Sequence, residues 1–148
     1  MAGDEGAAAG TGPAGGWADS RAPSLDDIEV IARASFAALP DHFRRLAGDI
    51  QVRVSEFPED DVLDDLGVES EFEILGLFQG VGLAHDAATP YTGQMPNMIW
   101  LYRRPILDYW AENEEALGAI ISHVLVHEIG HHFGLSDDDM EAIEAAAG

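Results

Sequence analysis

The stretch from Leu117 to Val126 is apolar around much of a helical circumference, and it runs without a break into His127-Glu128-Ile129-Gly130-His131-His132-Phe133-Gly134-Leu135-Ser136-Asp137. Such a stretch reads as a buried helix, and histidines on it need a reason to be there. On such a helix His127 and His131 stand one turn apart on one face. Two imidazoles at that spacing can bind one metal ion, with Zn²⁺ the usual choice. Glu128 follows the first histidine and points beside the metal position, where it can take a proton from a metal-activated water. Gly134 is the residue type that ends helices, because it accepts a left-handed backbone. Beyond it the chain can turn back and offer Asp137 as a third ligand. Three protein ligands and one open position describe a catalytic site; a structural zinc site is closed by a fourth.

Each of these residues also has a plainer role open to it. His127 and His131 can be ordinary histidines bonded to neighbouring carboxylates. Asp137 can be the N-cap of a last helix, a part Ser136 can play equally well. His132 lies off the ligand face by about one hundred degrees, which suits a surface or packing histidine. His123 lies one turn before His127 and reads as a substrate-facing or ligand-supporting group, or as a plain helical histidine. Asp138 and Asp139 can orient a ligand imidazole or be solvated acids at a helix start. A donor to a developing oxyanion is also needed, and Tyr91, Tyr102 and His85 are the candidates. The aromatics Trp100, Tyr102, Tyr109 and Trp110 read more simply as core.

The rest of the chain supplies the frame. Residues 1–23 are rich in Gly, Ala and Pro with little to bury apart from Trp17, and read as a disordered tail. Ser24 with an acid three positions on is a helix start close to a capping box. Leu25, Ile28, Ile31, Ala32, Phe36 and Leu39 then give one apolar face as far as Pro40. A helical turn over Asp41–Ala47 places Phe43 and Leu46 inward. Ile50–Val54 alternates as a strand does. Glu59–Leu66 reads as a short acidic helix ended by Gly67, and Phe72–Phe78 as a strand. Leu83–Asn97 is a long loop of small and turn-forming residues, a length associated with function. Met98–Tyr102 reads as a third strand, Pro105–Trp110 as a helix, Asn113–Phe133 as the long helix, and Asp138–Ala147 as the last. The sum is one α+β domain over residues 24–148, with a three-stranded mixed sheet packed on the long metal-binding helix; the strand order does not follow from the sequence.

The run H-E-x-x-H-x-x-G-x-x-D resembles the zincin metallopeptidases, in particular the small bacterial minimal zincins. The likeness is strongest over His123–Met140, extends through Glu73–Val81 and Ile99–Pro105, and so covers most of the chain after about residue 24. It implies a zincin-like fold, His127, His131 and Asp137 as the metal ligands, and Glu128 as the general base. It also implies an edge strand above the cleft, at Glu73–Phe78 or Met98–Tyr102, on which an extended substrate pairs by backbone hydrogen bonds. Larger zincins of the metzincin type have a third histidine where this chain has Asp137, and a methionine turn further on. Met140 is too close to serve as that turn, and the lower half of a full peptidase cleft is nearly absent.

Composition bounds the function further. The chain has 148 residues, nearly half of them apolar, which is enough for one domain with a core. It has no cysteine, so neither disulfides nor thiolate ligands enter. No secretory start or membrane span is legible, and a cytoplasmic protein is the expectation. A net charge of −21, with all seven basic residues arginine, argues against nucleic acid and anionic membranes as partners. It attracts basic peptides, and equally describes a solvated acidic surface or salt adaptation. The function expected is a zinc-dependent peptidase acting on an unknown peptide or protein. The alternative is a non-catalytic metal-binding or protein-interaction module retaining the same frame, in which the carboxylate of Glu128 has no evident use. Two histidines and a carboxylate also suit iron and manganese.

Overall fold

The computed structural model describes residues 14–80 and 97–147. A single turn, α1 (Ala14–Trp17), precedes α2 (Leu25–Ala37), which opens on the expected capping box: Ser24 Oγ accepts from the Asp27 N–H and the Asp27 carboxylate accepts from the Ser24 N–H. The Ser24 N–H first, and then the Ser24 side chain, hold the Asp27 carboxyl below the usual carboxylate range. Ile28, Ala32 and Leu39 are buried as their spacing predicts. In α3 (Asp41–Ala47) the buried pair is Phe43 and Ala47, one turn apart, and Leu46, offset from that line, is 40% exposed. Trp17 is 60% exposed at the end of α1, a helical turn within the stretch expected to be a disordered tail.

The sheet has the order β1-β3-β2. Here β1 (Ile50–Ser55) runs parallel to β3 (Asn97–Tyr102), and β2 (Gly76–Gln79) runs antiparallel to it. The mixed three-stranded sheet is the one expected, though β2 is shorter than the predicted Phe72–Phe78. Ser70 and Glu73 form a capping box of their own and wind Glu71–Glu73 into a 3-10 turn, so the apolar run is split between a turn and a strand. The acidic helix α4 (Asp60–Leu66) ends at Gly67 as read, and the turn after it is held by an edge-on contact between Phe57 and Phe72. The expected loop at 83–97 lies outside the described residues apart from Asn97, which begins β3.

Helix α5 (Arg103–Glu112) starts directly from β3, with Pro105 in its first turn where a missing N–H costs nothing. Tyr102 is buried, but Tyr109 is 37% exposed and bonds Glu115 rather than the core. Helix α6 (Leu117–His132) begins four residues later than predicted and is followed by α7 (Asp137–Ala147). One core joins these elements. Ile28 and Ala32 of α2, Val52, Phe78, Ile99 and Leu101 of the sheet, and Met140 and Ile143 of α7 form one cluster with the apolar side of α6. No helix among the described residues is long and apolar enough to cross a membrane.

Candidate metal centre

The buried side of α6 is wide. Ile120, Ile121, Val124, Leu125, Val126 and Ile129 all face the core, which explains why the helix is apolar nearly all round. The remaining stripe carries Ala119, His123 and His131, all exposed, and the half-buried His127. Successive steps of four residues drift by only about 40° around a helix, so the three histidines form one shallow ladder. The His127 ring stacks on His123 with centroids 3.9 Å apart and meets His131 edge-on at 5.7 Å.

Two features end α6 and fix the position of α7. Gly134 has φ +77°, and the Leu135 N–H bonds the Gly130 carbonyl at 2.9 Å while the Gly134 N–H bonds that of His131 at 3.1 Å. This paired closure satisfies carbonyls that the helix end leaves open. At Gly130 a Cβ would stand 2.5 Å from Met140 Sδ, so the absence of a side chain there lets α7 pack close against α6. The cap of α7 is Ser136: its Oγ accepts from the Asp139 N–H, and the Asp139 carboxylate accepts from the Ser136 N–H. Asp137 is therefore not the N-cap. It is exposed in the first turn of α7, and Asp139 serves the cap.

Glu128 sits on the other flank of the ladder. It is half-buried, and its carboxylate accepts a hydrogen bond from the Phe78 N–H. Burial pushes its pKa up, against smaller opposing effects of His131 and the Phe78 bond. The location follows from the sheet. The Tyr102 N–H bonds the Leu75 carbonyl, and bonded pairs alternate along an antiparallel ladder. The N–H and C=O of Gly76 and Phe78 therefore point away from β3. Among the described residues β2 is an edge strand, and Glu128 is tied to that edge. Of the two strands expected there, β3 is central and β2 takes the edge. His132 packs against Phe78 and Phe133, with centroids 4.5 and 4.9 Å away, as a packing histidine does. The candidates Tyr91 and His85 lie outside the described residues. Tyr102 is buried, with its pKa pushed up to about 12 by burial first and then by the charges of Glu59 and Glu128. It lines a hollow of about 180 Å³ with Ser55, Phe57, Glu59, Val62, Gln79 and Trp100, to which α6 contributes no residue.

Sequence reasoning missed Glu144. Its Oε2 is 2.9 Å from His127 Nε2 and its Oε1 is 3.1 Å from His123 Nδ1. These three residues bring their ligand atoms within 4.8 Å of one another; His127, His131 and Asp137 do not form such a group. The signal was there: in two helices reversing at Gly134, positions nearly equidistant from the turn face each other, and 123 and 144 are such a pair. Chemically, two imidazoles and a carboxylate are a fitting donor set for Zn²⁺. His131 and Asp137 are open to solvent, the first at the partly negative end of α6 and the second at the partly positive start of α7.

Residues 47–147 match the Zincin-like metallopeptidase family. The match spans more than half of the chain, and the protein belongs to that family. It begins at Ala47, so α2 and most of α3 precede the matched part of the domain. No curated protein matches the chain.

Proposed function

We propose that the protein is a zinc-dependent metallopeptidase in which His127, His131 and Asp137 hold the metal and Glu128 is the general base. The observation that carries this reading is the placement of Glu128: one residue from His127, half-buried, and bonded to the backbone of the open edge strand β2. A zinc ion held there would supply Lewis acidity toward a carbonyl and a water. The chain's own residues do the rest. The outward N–H and C=O of Gly76 and the outward C=O of Phe78, whose N–H is held by Glu128, offer an extended peptide a strand to pair with. That pairing lays its backbone beside Glu128. The Glu128 carboxylate can then take a proton from the attacking water and pass it to the leaving amine. A surface with net charge −21 favours basic peptides in the encounter. An aspartate ligand reduces the charge that the metal presents, so turnover is expected to be modest.

The bond between His127 Nε2 and Glu144 supports a second reading, a non-catalytic module in which the histidine is held by a carboxylate. The test is hydrolysis of a broad peptide library by the zinc-loaded chain. Cleavage stopped by a chelator and restored by zinc supports the peptidase. Bound zinc without cleavage supports the module, and chelator-insensitive cleavage overturns the metal mechanism.

A further inference from the structure

We infer that His123, His127 and Glu144 form a second divalent-metal site, overlapping the motif centre at His127 and not depending on peptidase activity. The site is built by the α6–α7 hairpin. The reversal at Gly134 and the close approach at Gly130 carry α7 back along the histidine ladder. Met140 and Ile143 are buried against α6, and Glu144, one turn on from Met140, lands over the two imidazoles. One carboxylate thereby reaches both rings, with contacts of 2.9 and 3.1 Å, and all three ligand atoms converge within 4.8 Å.

The chemistry suits a borderline divalent cation such as Zn²⁺: two imidazoles and one carboxylate. In the metal-free protein the carboxylate can only accept, so each ring donates an N–H to it. On binding, each neutral ring shifts its proton to its other nitrogen and presents a lone pair in its place. The side chains of His123, His127 and Glu144 are 57, 22 and 27% exposed, which leaves the cluster reachable but partly shielded. Glu144 also lines an open hollow of about 310 Å³ with Ala119 and Ser122, through which a water can complete the coordination. Because one imidazole nitrogen holds one metal, a cation here withdraws His127 from the motif centre. The ladder thus offers a single ion two positions, one beside Glu128 and one a turn further from it.

The test is a zinc titration of the full chain carrying His131→Ala and Asp137→Ala, with competition by a chromophoric chelator and imidazole ¹⁵N spectra. Both replaced side chains are exposed, and circular dichroism checks the fold. The inference predicts about one zinc per chain, with His123 and His127 nitrogens both shifted. It also predicts that adding Glu144→Ala weakens binding by more than the roughly 100-fold that loss of a mere hydrogen-bonding partner can cause. No zinc bound to the double variant, unshifted His123, or a smaller effect of Glu144→Ala would overturn it.

Discussion

The two sides of α6 obey different rules. The core side, from Ile120 to Ile129, is apolar and sealed, and any side chain of similar volume and hydropathy would serve it. The ladder side, from His123 to His131, is open, and its identity lies in which nitrogen meets which carboxylate. One side is specified by surface area removed from water, the other by partners reached across the α6–α7 hairpin. The difference teaches that this helix can lose stability without losing its site chemistry, and lose its chemistry without losing stability.

The largest expected effect on folding is on the core side. Leu125→Ala should cost about 2–5 kcal/mol in denaturant unfolding, because the residue is fully buried and leaves a cavity. A cost typical of surface positions would break the comparison. Next comes the seam between the sides. Gly130→Ala places a Cβ against the buried Met140 and should cost about 1–3 kcal/mol by the same measurement. On the ladder side, His131→Ala in zinc-free protein should change stability by no more than about 0.5 kcal/mol, since the residue is exposed. Its effect should appear instead as lost hydrolysis, because an ion left to His123, His127 and Glu144 sits away from Glu128.

The smallest effect at neutral pH is that of Tyr102, which should be silent there. Its pKa is near 12 in the fold against 10 for an ordinary tyrosine. Below pH 10 both states hold the proton. Between 10 and 12 the unfolded chain releases it first, so stability falls as pH rises and levels off above 12. Thermal unfolding of Tyr102→Phe should show a shallower alkaline loss than the parent chain; identical curves would place the tyrosine outside the buried, acid-flanked setting.

Much of the frame was legible because it is written in local patterns. The capping box at Ser24, the Gly67 and Gly134 stops, and the alternation in β1 each act within a few residues, and each element formed where it was read. The misreadings arise where a stronger local bond or a shape constraint intervened. The Ser70–Glu73 box took the start of a predicted strand, and in α3 the inward place beside Phe43 went to Ala47 and not to Leu46. At the site, the histidines and Glu128 were visible as spacing along one helix. The tie from Glu128 to Phe78 and the reach of Glu144 were not, because they join residues on different elements and depend on sheet order and hairpin closure. The spacing after Gly134 favoured Asp137 as ligand over cap; the cap went to Ser136, whose hydroxyl reaches the Asp139 N–H.

The measurement that bears most directly on the peptidase reading is the hydrolysis rate of the zinc-loaded chain beside that of Glu128→Gln, with zinc content determined on both. The account predicts equal zinc and a loss of about 10²–10⁴-fold in turnover, the worth of a positioned general base. Undiminished hydrolysis in Glu128→Gln, with zinc bound, would contradict it.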